Sequence, residues 1–194
     1  MLFAKLKITP YTVNMSGHNK WSKVKRKKGV LDGKRSQIFS KHARLISAEV
    51  TRGGGDVNSS NVRAAVERAK SDSMPNDNIE RALQKGAGGD GAVMTDVIFE
   101  AFGPGGVPML ITGLTDNNNR TSQEVRHIFT KEGFALGAPH SASWAFTKVE
   151  GKYIPQSPVA LSDVDGEKLA NLIEMLEEHD DIQDIFTGAD GEDE

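Results

Sequence analysis

Apolar positions along the chain follow two regimes, helical spacing up to about residue 86 and strand-like runs interleaved with helices beyond it. Ile38, Phe39, Leu45, Ile46 and Val50 recur at near-helical intervals and Gly53-Gly-Gly55 offers a C-cap, which predicts a helix from about Lys34 to Arg52. A second helix is predicted from near Ser60, burying Val62, Ala65, Val66 and Ala69. A third opens with Pro75, whose ring suits a first helical turn, buries Ile79 and Leu83, and stops at Gly86. The stretch from Lys20 to Lys34 has few apolar residues besides Trp21, Val24 and Leu31, so it is expected to lie on a surface.

Gly86-Ala-Gly-Gly-Asp-Gly91 reads as a linker, because glycine is entropically costly to order. Beyond it, Val97 to Phe102 and Val107 to Leu114 read as strands joined by Gly103-Pro-Gly-Gly106, a turn that permits positive φ. Thr121-Ser-Gln-Glu124 has the form of a capping box and would open a helix with Val125, Ile128 and Phe129 inward, ending at Gly133. Ser143 to Thr147 and Tyr153 to Leu161 follow as strands, the second placed at an edge by Pro155 and Pro158. Ser162-Asp-Val-Asp165 caps a last helix carrying Leu169, Leu172, Ile173 and Leu176, and Ile182 to Phe186 closes as a strand. From Val107 the order is βαβ then βαβ, with Val97 to Phe102 as an extra strand. The expected fold is therefore α+β, a helical domain followed by a ferredoxin-like α/β sandwich of the split βαβ type. The expected divisions are a disordered leader over 1–14, directly followed by Met15, a basic helical domain over 15–85, a linker over 86–94, the sandwich over 95–188 and an acidic tail over 189–194.

Charge changes this picture more than any other compositional feature. The formal net charge is only -3, yet residues 1 to 52 carry 13 Lys and Arg against Asp32 and Glu49, whereas 149 to 194 carry Lys152 and Lys168 against 14 acids. Such a gradient points to a basic arm for a polyanion and an acidic, solvating end. Lys20, Lys23, Lys25, Arg26, Lys27 and Lys28 crowd into nine residues, and Lys34, Arg35, Lys41, Arg44 and Arg52 continue the series. A phosphate backbone supplies the counter-charge and releases condensed cations. The alternatives are a solvated face or attraction to the acidic end of the same chain. Trp21 would either stack on a base or anchor a helix. A second anion site is offered where Thr115-Asp-Asn-Asn-Asn-Arg120-Thr121 meets a helix N-terminus, with Arg120 as the cation, although turn and capping chemistry accounts for the same residues.

Catalytic signatures are absent from the sequence. Without cysteine there are no disulfides, thiolate nucleophiles or Cys-containing zinc sites, which fits a reducing, cytoplasmic compartment. His18, His42, His127, His140 and His179 lack metal-ligand spacing, no glycine-rich stretch continues into Lys-Ser/Thr, and no G-x-S-x-G elbow occurs. Every apolar run is interrupted by charge well short of a membrane span. No catalytic residue, metal or cofactor is expected, and no membrane partner.

Taken together, Gly17-His-Asn-Lys20-Trp21, Asp32-Gly-Lys34-Arg35, Gly53-Gly-Gly-Asp56, Met74-Pro-Asn-Asp-Asn-Ile-Glu-Arg81, Phe102-Gly-Pro-Gly-Gly106 and Leu114-Thr-Asp-Asn-Asn-Asn-Arg120-Thr121 resemble, in order, the signatures of the YebC/PmpR family. The resemblance runs from Met15 to about Lys148 and resumes from about Ile154 to Asp190. It implies a non-enzymatic regulator of gene expression. Some members are described as DNA-binding transcriptional regulators; others act in translation, among them the mitochondrial activator of cytochrome c oxidase subunit I and bacterial relatives linked to ribosomes stalled at proline runs. The motif residues carried over are Lys20, Trp21, Lys25, Lys28, Lys34, Arg35 and Arg120. Members usually insert a third domain between the strand near Trp144 and the segment near Ile154, and here only Val149 to Tyr153 fills that gap, so a short form is expected.

The expected partner is thus nucleic acid, rRNA or tRNA bound on the ribosome in the first reading and promoter DNA in the second, held by a monomer. The lack of a clear recognition helix or dimer zipper leans toward RNA. A third reading is a protein-interaction module built on the acidic helix from Glu167 to Asp181.

Overall fold

The computed structural model describes residues 31–88, 93–149 and 152–190. The predicted leader, the lysine-dense run from Lys20 to Lys28 and the last four residues of the acidic tail, 191–194, lie outside the described residues.

Helix α1 spans Leu31–Arg52, α2 Ser60–Ser71 and α3 Asn76–Ala87. They pack because each offers one apolar stripe: Ile46 of α1 meets Ala65 and Ala69 of α2, Met74 of the following turn, and Ile79 and Ala82 of α3, with Phe39, Leu45, Val66 and Leu83 at the margin. The glycine triplet ends α1 as the sequence predicts. Gly54 and Gly55 adopt φ of 67° and 91°, and the Gly55 N–H reaches back to the Val50 carbonyl at 2.9 Å. The α2–α3 turn does the same with Ser73, at φ 64°, while buried His42 of α1 bonds Asp72 at 2.6 Å and ties the turn down.

Gly86 departs from its expected role as a helix stop and linker start. It sits inside α3, and a Cβ there would come within 2.6 Å of both the Ser47 carbonyl oxygen and the Val50 Cβ of α1. Gly86 is therefore a crossing point at which two helix backbones approach, and α3 ends one residue later.

The second region begins with β1 (Thr95–Phe102) and β2 (Pro108–Thr115), antiparallel and paired from Thr95↔Thr115 to Phe102↔Pro108. Their connection is a 3-10 turn over Pro104–Gly106 in which Gly105 and Gly106 take φ of 66° and 74°. Helix α4 (Asn118–Lys131), the hairpin of β3 (Phe146–Val149) and β4 (Lys152–Pro155), helix α5 (Asp163–Glu177) and β5 (Ile182–Thr187) follow. Strand β5 pairs antiparallel with β2, giving the order β1-β2-β5. A helical region followed by an α+β region is thus as expected. The sheet differs in one respect from a four-stranded split βαβ: β3 and β4 pair with each other instead of joining it.

Period-2 alternation gives the sheet two apolar faces. Ala101, Met109 and Ile111 meet Val125 and Phe129 of α4 and Leu169, Leu172 and Leu176 of α5 on one side. On the other side Leu110 and Phe186 are covered by Ala145, Phe146 and Tyr153, the last two from the hairpin. The predicted strand from Tyr153 to Leu161 is cut short at Pro155, and Val159 resumes only as a parallel bridge to Ala189.

Candidate nucleic-acid interface

Of the expected phosphate contacts, Lys20, Trp21, Lys23, Lys25, Arg26, Lys27 and Lys28 lie outside the described residues. Lys34 falls near the start of α1, and Arg35 is exposed on that helix. Lys41, Arg44 and Arg120 have a different environment from the one expected: each is engaged by an acid or carbonyl of the same chain.

One turn of chain at the junction of α5 and β5 organises this. Asp181 is 3% exposed. Its Oδ2 accepts from the hydroxyls of Thr121 at 2.6 Å and Thr115 at 3.0 Å and from the Arg120 guanidinium at 2.7 Å, while Oδ1 accepts from Arg44. Burial pushes the Asp181 carboxyl upward, but the bonds from Thr121, Arg120 and Thr115 and the charge of Arg44 outweigh it and bring it from an ordinary 3.8 to about 2. Hydrogen bonding to and charge beside Asp181, partly offset by desolvation and helped by Asp116, hold Arg120 above its usual range.

The cap of α4 follows from this arrangement. Asn117, rather than Thr121, is the N-cap, its side-chain oxygen accepting from the Arg120 N–H at 3.1 Å. Thr121 lies in the first turn, fully buried, with its hydroxyl on Asp181. Had Thr121 been the cap, the helix would begin too late to place Arg120 beside that carboxylate.

Helix α1 docks on the same junction. Gln37 donates to the Glu178 carbonyl at 2.5 Å, Lys41 to the Glu177 carbonyl at 2.7 Å, and Arg44 to the Asp180 carbonyl at 3.2 Å. Burial lowers the Lys41 pKa, with the charges of Glu177, Asp180 and Asp184 opposing the shift without cancelling it. Two flanking pairs complete the contact. Arg68 of α2 meets Asp184 of β5, and Arg52 meets Asp96 of β1 at 2.9 Å. Gln37, Arg68, Asp96 and Asp184 were not expected at a site, whereas Arg52 was expected only in the phosphate-binding series and Asp181 only at the end of the acidic helix; the opposed charge of the two chain ends was the signal that could have paired them.

Glu124, His179 and Asp181 place ligand-type atoms within 4.8 Å of one another. Those atoms are already committed. His179 accepts from the Asp181 N–H through Nδ1 at 3.1 Å, which leaves Nε2 to donate to Glu124 at 2.9 Å, and both Asp181 oxygens face guanidinium groups. Two fixed positive charges beside a carboxylate oppose a metal ion there. Among the described residues, no helix is long and apolar enough to cross a membrane.

Fold and junction together define a two-region α+β protein whose basic helical part is held to an acidic α/β part by ion pairs. The TACO1/YebC protein N-terminal domain matches residues 19–89, and the TACO1/YebC second and third domain matches 94–150 and 147–189. The chain belongs to this family. A probable transcriptional regulatory protein of Petrotoga mobilis is 45% identical over 178 residues, covering 89% of this chain and 70% of the relative. One from Desulforamulus reducens is 35% identical over 242 residues, covering 92% of this chain and all of the relative. The crystal structure of a conserved hypothetical protein from Aquifex aeolicus superposes with a TM-score of 0.73 at 29% identity, covering 88% of this chain and 96% of that one. The second family match divides at the β3–β4 hairpin, and the alignment of 242 residues exceeds the 194 of this chain.

Proposed function

We propose that this chain is a non-enzymatic, nucleic-acid-binding regulator of gene expression, gripping a phosphate backbone through the segment from Lys20 to Arg35 and acting on ribosomal or transfer RNA in translation. The observation that carries this reading is the charge imbalance of residues 1 to 52, 13 cations against two acids. Lys41 and Arg44 are engaged within the chain, whereas Arg35 is exposed, which favours the N-terminal part of the series for contact with a polyanion. Phosphate contacts of this kind position a protein without reading sequence. The relatives are named probable transcriptional regulatory proteins, which favours a second reading in which the polyanion is promoter DNA. The divided family match supports a short form without the inserted domain, its two halves joined by the β3–β4 turn.

Crosslinking in cells followed by sequencing of the bound nucleic acid tests the proposal. Recovery of rRNA or tRNA is the expected result, recovery of promoter DNA establishes the second reading, and recovery of neither overturns both. In vitro, replacing Lys25, Lys27, Lys28, Lys34 and Arg35 with Ala is expected to abolish retention of an RNA hairpin at moderate salt with circular dichroism intact. Each lost phosphate contact flattens the salt dependence by about 0.7 to 0.9 in log-log slope.

A further inference from the structure

The inward cations of α1 are occupied by a surface that, like a phosphate backbone, offers them a series of negatively charged and acceptor oxygens. Gln37, Lys41 and Arg44 stand at i, i+4 and i+7, so all three project from one face of the helix. Opposite them lies the C-terminal end of α5, where the helix dipole concentrates negative charge, followed after two residues by Asp180 and Asp181. The carbonyls of Glu177, Glu178 and Asp180 and the Asp181 carboxylate accept from this face, and Asp184 takes Arg68 from the neighbouring helix.

Among the described residues, the apolar clusters do not span this contact. Each of the three buried apolar clusters draws its residues from only one side of the chain's 86–94 junction. Contacts between the helical and α/β regions are instead hydrogen bonds and ion pairs, several of them partly solvent-exposed, at Gln37, Lys41, Arg44, Arg52 and Arg68. Such contacts weaken with salt and exchange readily for another anion, unlike a buried apolar interface.

We infer that the α5–β5 junction is an internal decoy for nucleic acid, an autoinhibitory latch that withholds Lys41, Arg44 and Arg68 until a phosphate backbone takes them over and the two regions separate. This rests on the nucleic-acid reading above and adds to it a closed state with a defined partner surface. In the closed state only the N-terminal part of the arm engages a polyanion; in the open state α1 presents its second row of cations, and the bound form makes more phosphate contacts than the closed form offers.

The test measures fluorescence anisotropy of a labelled RNA hairpin and of a DNA duplex of equal length, using the full chain. Asp184→Asn removes one latch anion, and Glu80→Gln, on the exposed face of α3 away from the junction, changes net charge by the same amount. Asp184→Asn is expected to bind about two- to fivefold tighter than Glu80→Gln, the equivalent of one surface ion pair no longer broken. Asp181→Asn, which frees two guanidinium groups, is expected to gain about tenfold; should it unfold, Asp184→Asn decides alone. As the chain lacks cysteine, spin labels on Glu80→Cys and Lys168→Cys report the separation of α3 and α5, which is expected to widen on binding the hairpin.

Equal affinities for Asp184→Asn and Glu80→Gln, or a label separation unchanged by RNA, overturn the latch while leaving the binding function standing. Failure of the unmodified chain to bind either probe overturns both.

Discussion

Acidification should weaken the protein through Asp181 in a way that one substitution isolates. The folded carboxyl titrates at about 2 against an ordinary 3.8. A depressed pKa contributes stability that is complete above the ordinary value and is lost as the pH falls through the folded one, so the loss belongs to the window between about pH 5 and pH 2. At 1.36 kcal/mol per unit the contribution is about 2 kcal/mol at neutral pH, with about half gone near pH 3. Because the side chain is nearly fully buried, solvent screening reduces this little. Glu100 also titrates low: burial opposes the shift, but its carboxylate accepts backbone N–H bonds from Ala142, His140 and Ser143, so the unmodified chain loses more than the Asp181 share. Comparing urea midpoints of the native chain and Asp181→Asn across this range removes that background. The two should differ by about 2 kcal/mol near pH 7 and converge toward pH 2. Parallel curves would show that the donors around Asp181 do not stabilise its charged form, and the reasoning would fail.

Other positions give sharper structural readouts. Gly86→Ala should lower stability by about 1–3 kcal/mol in chemical denaturation, since a methyl group has no room against Ser47 and Val50; a neutral result would mean α1 and α3 part easily. Ser73→Gly should raise the thermal midpoint, gaining about 1 kcal/mol by relieving a left-handed non-glycine residue. Glu100→Gln turns one carboxylate oxygen into a donor facing the N–H groups of His140, Ala142 and Ser143, costing about 1–3 kcal/mol and speeding proteolytic nicking of that loop.

Local chemistry made most of the fold legible and failed where distant residues decided the outcome. The α1 terminus, the Ser162 cap that accepts from Asp165, and the positive-φ turn between β1 and β2 are all decided within a few residues, and the sequence read each correctly. Thr121 is the contrasting case. Thr115-Asp-Asn-Asn-Asn-Arg-Thr121 holds several competent N-caps, and the capping-box spacing singled out the wrong one. What selects Asn117 is the Asp181 carboxylate, 60 residues beyond Thr121, which claims the Thr121 hydroxyl and leaves an asparagine to start the helix. Gly86 was misread for the same reason. Its neighbours in sequence suggest a stop, whereas the residues that require glycine, Ser47 and Val50, lie on another helix.

The basic segment shows how far charge alone can be read. Thirteen cations require a counter-anion or solvation, and composition could not say which. Attraction to the acidic end of the same chain was one of the alternatives the sequence left open, and the structure realises it for Lys41 and Arg44, with Arg68 of α2 joining them. That outcome divides the segment, and the proposed phosphate contacts fall to its N-terminal part. Cations that face α5 are satisfied within the chain at the cost of being unavailable, and a polyanion must compete with Asp181 and Asp184 to reach them. Arg35, at the far end of α1 from Arg52, is exposed to solvent. Affinity should therefore depend on the N-terminal arm at every salt concentration, and on Lys41 and Arg44 only where the junction opens. Substituting Lys41 with Ala at high and low salt separates these two contributions.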